Sequence, residues 1–257
     1  MSKKIIFFDI DGTLLDHEKN LPQTTKSAVQ SLKDKGYIVA IATGRAPFMY
    51  KELREELEID SYISFNGQYI VLNGEVFYKN PLQREALGQL TDKALSLEHP
   101  VVYMDHDDMK ANTPHHQYIE DSISTLKFSH PQHDPDYFLT REIYQALLFC
   151  EVGEEKQYEE EFDAFKFVRW HPVSTDILPS GASKAKGIER VIEALKISKE
   201  DVYAFGDGLN DIEMLGYVEH GVAMGNAEPE TKEAARYQTK DVSEDGILHG
   251  LKMLGLL

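Results

Sequence analysis

Two aspartates one residue apart, Asp9 and Asp11, follow the apolar run Ile5–Phe8 and lead into Gly12 and Thr13. The run has the length and character of a strand buried on both faces, so the pair stands where that strand ends. A strand-to-loop turn accounts well for Asp11-Gly12. It accounts less well for Asp9, which joins the strand directly and shares a side with Asp11 if strand geometry persists that far. Carboxylates held side by side repel each other unless a cation or a proton intervenes.

Two more apolar runs end in small, oxygen-rich residues. YIVAIATGR ends at Thr43 and Gly44, and VYAF ends in GDGLND, which carries Asp207, Asn210 and Asp211. SGASKAKG, before the last crossover helix, supplies a lysine. In open parallel sheets, ligands bind beyond the carboxyl ends of the strands, so these groups can meet in one cleft. Asp9, Asp11, Asp207 and Asp211 bring four negative charges there and Lys184 returns one, leaving three. A partly dry site does not tolerate that remainder without a metal. A few hard carboxylate oxygens, with room left for water and substrate, suit Mg²⁺ better than zinc or calcium. A magnesium site with a free carboxylate points to phosphoryl transfer. The metal and Lys184 would draw charge from the phosphoryl oxygens, with Thr43 and nearby backbone N–H groups holding them. Asp9 could attack phosphorus, and Asp11 could protonate the leaving oxygen and then take a proton from water.

The elements that must position these groups read as a doubly wound α/β domain with an insertion. LPQTTKSAVQSLKDKG predicts a helix that begins near Pro22, buries Ala28, Val29 and Leu32, and stops at Gly36. It lies between two strands, a βαβ unit that implies a parallel sheet. The C-terminal third follows the same alternation, with a helix that has Ile188, Val191, Ile192 and Leu195 on one face, the strand VYAF, a short strand GVAM, a helix from Pro229 and a closing helix through Leu254. Between them, Asn73-Gly74 predicts a hairpin turn. From about Leu82 the pattern becomes α+β: a helix to Leu97, the strand VVYM, a helix from Tyr118 to Leu126, the strand YQALLFCE, an acidic helix over 154–161, and the strands AFKFVRW and STDILP. The expected division is a core of residues 1–81 and 181–257 with an inserted domain over 82–180.

Composition narrows the partners. With 44 acidic against 27 basic side chains, the formal charge of −17 repels nucleic acid backbones and anionic lipid. A small phosphorylated substrate remains compatible, because a local cation can reverse the field in one cleft. The single cysteine excludes an intrachain disulfide, and Cys150 in ALLFC reads as a buried small hydrophobe. The apolar run after Lys3 and Lys4 is too short for a signal peptide and no segment approaches a membrane span, so the expected location is the cytoplasm.

Taken in order, FFDIDGTLL, IATGR, the lysine of SGASKAKG and GDGLND resemble the four motifs of the haloacid dehalogenase-like phosphohydrolases. With SFNGQYI and the insertion, the chain resembles the Cof-type branch with its type IIB cap. The resemblance implies a Rossmann-like core with an inserted α/β cap that selects substrates. It further implies Asp9 as nucleophile, Asp11 as acid/base, and Mg²⁺ held by the Asp9 carboxylate, the Asp11 backbone carbonyl and Asp207, with Asp211 in support. Phosphate would meet the Ile10 backbone, Thr43, Gly44, Lys184 and Asn210. Lys184 is preferred because Ile188 and Val191 then fall where the family's helix places its apolar residues; Lys186 is the reserve.

The expected activity is therefore a Mg²⁺-dependent phosphatase acting on small phosphorylated metabolites through an aspartyl phosphate. Sugar phosphates come first, then pyridoxal phosphate or flavin mononucleotide, all from the resemblance. A sugar phosphomutase and a phospho-aspartate signalling module are the alternatives; an acid/base beside the nucleophile argues against the second. The His- and Asp-rich segments MDHDDMK, TPHHQY and SHPQHDP match no standard zinc spacing and read as solvated loops. Trp170, Phe162, Phe165 and Phe167 read as core of the insertion. Nothing in the sequence speaks to oligomeric state.

Overall fold

The computed structural model describes residues 3–257. The chain opens with β1 (Ile5–Phe8), α1 (Gln23–Asp34), β2 (Ile38–Ala42), α2 (Lys51–Leu57), β3 (Tyr62–Ser64), β4 (Tyr69–Leu72) and β5 (Glu75–Lys79). It continues through α3 (Arg84–Ser96), β6 (Val101–Met104), β7 (Met109–Ala111), α4 (Gln117–Thr125), β8 (Gln132–His133), α5 (Tyr137–Thr140), β9 (Gln145–Leu148), α6 (Lys156–Glu159), β10 (Phe165–His171) and β11 (Ser174–Pro179). It closes with α7 (Lys184–Leu195), β12 (Val202–Gly206), α8 (Ile212–Tyr217), β13 (His220–Ala223), α9 (Pro229–Ala234), β14 (Tyr237–Gln238) and α10 (Gly246–Met253). Two compact units result. One comprises residues up to Arg45, Met49–Tyr78 and Ser183–Leu257; the other comprises Ala46–Phe48 and Lys79–Ala182.

The first unit holds an eight-stranded sheet in the order β14-β13-β12-β1-β2-β3-β4-β5. It is parallel from β14 to β3, and β4 then runs antiparallel to β3. All four residues of β1 are fully buried, as a strand covered on both faces requires. On one face Ile5 and Phe7 pack with Ile188, Val191 and Ile192 of α7 and with Met214 and Leu215 of α8. Helix α1 buries Ala28, Val29 and Leu32, and α10 brings Gly250 against Phe205 of β12. The β4–β5 turn has Asn73 at φ 50° and Gly74 at φ 79°, the left-handed pair that matches the twist of a tight hairpin.

The second unit holds a six-stranded sheet, β10-β11-β9-β6-β7-β8. Leu87, Leu90 and Ala94 of α3 pack on Val101, Tyr103, Ala146, Leu148 and Ile177. Phe162 and Phe165 belong to this core and Phe167 packs against it, but Trp170 lies outside it and is only half-buried. The acidic helix is also shorter than its sequence predicts, one turn over Lys156–Glu159. Parts of the His- and Asp-rich segments are ordered rather than loose. Asp105, 2% exposed, accepts hydrogen bonds from the Asp107 and Asp108 N–H groups and from the Tyr137 hydroxyl, while His116 caps α4.

Candidate active site

Strand register sets the row of groups. Ile5 pairs with Val202 and Ile38, and Phe8 with Phe205 and Ile41, so β12, β1 and β2 end level. The residues just beyond those ends, Asp207, Asp9 and Thr43, therefore emerge along one edge of the sheet.

Lys184 organises the centre. It is the first residue of α7, behind the Ser183 cap, and its side chain is fully buried. Its Nζ lies 2.6 Å from Asp9 Oδ1 and 2.7 Å from Asp211 Oδ1. Burial opposes its charge, but the Asp211 and Asp9 carboxylates outweigh that and hold its pKa above the ordinary value. Lys186 donates its backbone N–H to the Ser183 hydroxyl, and its side chain is exposed. Lys184 is thus the lysine brought to the strand ends.

Asp211 uses its second oxygen to accept the N–H groups of Asp207 and Gly208, both at 3.0 Å, so both its oxygens are engaged. Among the described residues, the side chains that donate to Asp207 are neutral: the Thr13 hydroxyl at 3.0 Å and the Asn226 amide at 3.3 Å. The same Asn226 nitrogen donates to the Gly12 carbonyl at 2.8 Å. Gly12 has φ 74°, and a Cβ there would fall 2.1 Å from Asp207 Oδ2, so the loop needs glycine for both its conformation and its space.

Asp9 and Asp11 are treated in opposite ways. Burial pushes Asp9 up to about 8; Lys184 opposes this, while the charges of Asp211, Asp207 and Asp11 add to it. Asp207 is pushed up to about 6, by burial and then by Asp211. Asp11 receives two 2.7 Å bonds from the Arg45 guanidinium and one of 2.5 Å from Lys19. Burial would raise its pKa, but Arg45 and Lys19 outweigh it and hold the carboxyl below the usual range.

Phosphate-type ligands have donors here. The backbone N–H groups of Ile10, Asp11 and Gly44 have no partner among the described residues. The buried Thr43 accepts the Arg45 N–H at 3.1 Å, which leaves its own hydroxyl proton to donate. Asn210 lies in the loop after β12 with its side chain exposed. Oxygens of Asp9, Asp207 and Asp211 lie within 4.8 Å of one another. Carboxyls crowded enough to retain protons are groups that a hard divalent cation would satisfy, so the donor set fits one.

The family model of the haloacid dehalogenase-like hydrolases matches residues 6–251. The chain belongs to this family. It is 51% identical to the putative phosphatase YkrA of Bacillus subtilis over the whole of both chains. A hypothetical protein of Geobacillus kaustophilus is 56% identical, with a TM-score of 0.96 over 99% of this chain and 100% of its own. The HAD subclass IIB sugar phosphatase BT4131 is 32% identical, with a TM-score of 0.86 over 99% of this chain and 100% of its own. This hydrolase is accordingly a phosphatase of the HAD superfamily, related to its subclass IIB members. No helix among the described residues is long and apolar enough to cross a membrane.

Several groups at the hydrolase's strand ends escaped the motif reading. Arg45 directly follows Thr43-Gly44, and Asn226 follows β13 within GVAMGNA, so each stands at a strand end that could have been searched. Asn66 is buried at φ 51°, between Phe65 at φ 51° and Gly67 at φ 95°, and its side chain abuts Gly44. Its Oδ1 has no partner among the described residues, a cost that a structural turn alone does not explain. Lys19 and Thr13 carried no signal, since each is an ordinary loop residue until its partner is known.

Proposed function

We propose that this phosphatase releases inorganic phosphate from small phosphorylated metabolites, sugar phosphates first, through an aspartyl phosphate on Asp9. The observation that carries the reading is the buried Lys184 shared between Asp9 and Asp211. A cation so placed opposes protonation of a buried carboxylate, fixes its direction and faces the oxygens of an incoming phosphoryl group. The Asp9 carboxylate, the Asp11 backbone carbonyl and Asp207, with Asp211 behind them, are the groups that would hold Mg²⁺, and bound Mg²⁺ would offset the negative charge of phosphate beside these carboxylates.

An Asp9 oxygen attacks phosphorus, and the bond from phosphorus to the ester oxygen breaks. Lys184, Thr43, Asn210 and the N–H groups of Ile10, Asp11 and Gly44 hold the phosphoryl oxygens. Asp11 gives a proton to the departing alcohol and then takes one from the water that attacks the aspartyl phosphate, returning Asp9 and freeing phosphate. The Arg45 and Lys19 contacts keep Asp11 in its basic form, so its acid role requires a proton and a loosened Arg45 contact when the substrate arrives. We assign the choice of organic group to the inserted unit. The likeness to a sugar phosphatase supports the ranking of sugar phosphates ahead of pyridoxal phosphate and flavin mononucleotide.

The test is phosphate release from sugar phosphates, nucleotides and phosphorylated cofactors, each with Mg²⁺ and with EDTA. Mg²⁺-dependent release, highest for sugar phosphates, is expected. Isomerised sugar phosphate with little free phosphate would turn the reading to a mutase.

A further inference from the structure

Three unlike metal donors meet within the second unit. Val101 of β6 pairs with Leu148 of β9 in antiparallel register. Carried two residues further, that register sets His99 opposite Cys150, and the Phe149 N–H on the Pro100 carbonyl at 3.0 Å extends the pairing past the strand ends. Side chains alternate along a strand, so both belong to the face that bears Val101 and Leu148, which is the face packed with α3. Glu154 comes from the segment between β9 and α6, where its Oε2 accepts the Glu151 N–H at 2.8 Å.

The donor atoms of His99, Cys150 and Glu154 lie within 4.8 Å of one another. His99 Nε2 is 3.3 Å from Glu154 Oε2. A nitrogen and an oxygen bound to one zinc ion at the tetrahedral angle stand about 3.3 Å apart, so this pair already spans one edge of such a site. His99 Nδ1 is 2.8 Å from the hydroxyl of the buried Tyr158. With Nδ1–H donated to that oxygen, the lone pair of Nε2 is free to bind, and a contact of this kind on the second ring nitrogen is what orients metal-bound histidines.

Cys150 is fully buried, yet its surroundings are not hydrocarbon alone. Arg169 Nη2 lies 3.5 Å from its Sγ and donates to Glu155 at 2.6 Å. Burial pushes the thiol up to about 11 and Arg169 opposes this, so an incoming cation displaces the thiol proton with a guanidinium already beside the thiolate. The His99 side chain is 13% exposed and that of Glu154 44%, which leaves a path from solvent on the Glu154 side. An ion pair between His99 and Glu154 accounts for two of the three groups and leaves the thiol beside them unexplained. Imidazole, thiolate and carboxylate together suit a divalent ion of the zinc type, and the soft sulfur disfavours Mg²⁺.

We propose that His99, Cys150 and Glu154 form a Zn²⁺ site, with water in the fourth position, that ties the turn before β6 to the segment after β9. The site is separate from the carboxylates assigned to catalysis and does not rest on the phosphatase reading.

Cys150 is the only cysteine in the chain, so a thiolate-to-metal charge-transfer band can come from no other residue. The test uses full-length protein, reduced, stripped with chelator and held in excess Mg²⁺ to occupy the carboxylates of the first unit. Titration with Co²⁺, as a spectroscopic stand-in for Zn²⁺, is expected to give a near-ultraviolet charge-transfer band that saturates at one equivalent and disappears when Zn²⁺ is added. Cys150→Ala should lose the band, and His99→Gln and Glu154→Gln should each weaken Co²⁺ binding at least about tenfold. Zn²⁺ should raise the melting temperature of the wild type and leave that of Cys150→Ala unchanged. A folded wild-type protein with no band at saturating Co²⁺ overturns the proposal without any variant. So does a band that His99→Gln and Glu154→Gln leave at wild-type affinity, the mark of adventitious binding to a thiol. Should Cys150→Ala fail to fold, the wild-type, His99→Gln and Glu154→Gln titrations decide. None of these readouts is phosphate release, so failure of this site and failure of the phosphatase reading are distinguishable.

Discussion

Asp9 and Asp176 stand in different sheets and share one property: burial pushes each carboxyl up to about 8. Their surroundings differ. Asp9 has the Lys184 ammonium 2.6 Å away, with the carboxylates of Asp207 and Asp211 close by. Asp176 has an amide and an indole and no charge. The first is a site built to carry charge, in which the proton stands in for a cation; the second stays neutral and can offer only hydrogen bonds. One shift thus arises from two designs.

The largest expected difference between them is catalytic. Asp9→Asn should reduce phosphate release at least about a thousandfold while leaving the fold intact by circular dichroism. Substantial residual turnover would remove Asp9 from the nucleophile role and the contrast with it. Stability gives the next difference. Lys184→Met leaves Asp9 and Asp211 buried without a counter-charge and should cost about 3–5 kcal/mol in denaturant unfolding at neutral pH. Asp176→Leu, which removes a neutral acid, should change stability by less than about 1 kcal/mol. Equal losses would dissolve the distinction.

Asp207→Asn should raise the Mg²⁺ concentration needed for half-maximal activity at least about tenfold, as expected when one of a few charged ligands is lost. An unchanged metal titration would move the ligand set elsewhere. Proton linkage offers a finer test. Asp9 and Asp176 lose their protons near the ordinary value of 3.8 when unfolded and near 8 when folded. Between those values the folded protein binds more protons, so these groups stabilise it most at low pH and lose that contribution as pH rises from about 4 to about 8. Asp207 acts in the same direction up to about 6. Melting temperatures in EDTA should show this decline, and excess Mg²⁺, which displaces protons from Asp9 and Asp207, should stabilise increasingly as pH rises. A Mg²⁺ effect independent of pH would separate the metal from these carboxyls. The smallest effect concerns Asp11: Arg45→Gln should move the acid limb of the kcat profile upward by about one pH unit, because the lost guanidinium favoured the ionised form. An unmoved limb would show that Asp11 does not set it.

The sequence by itself determined what is local. A continuous apolar run makes β1 a fully covered strand, so Asp9 had to stand at its end; the same reasoning placed Thr43 and Asp207, whereas the choice of Lys184 over Lys186 came from the family resemblance through Ile188 and Val191. Short elements such as α8, β7, β8 and β14 lack the length for a periodic signal, and packing rather than pattern decides them. Only the tertiary structure decided the pairings between separate segments: Arg45 and Lys19 on Asp11, Asn226 bridging Asp207 and the distant Gly12, and the bulge that turns Trp170 toward Asp176. The physical reason is that burial and charge act through space. A motif names the groups, but whether a carboxyl keeps its proton depends on what the fold packs around it, and in Asp9, Asp11 and Asp176 the same side chain meets three different surroundings.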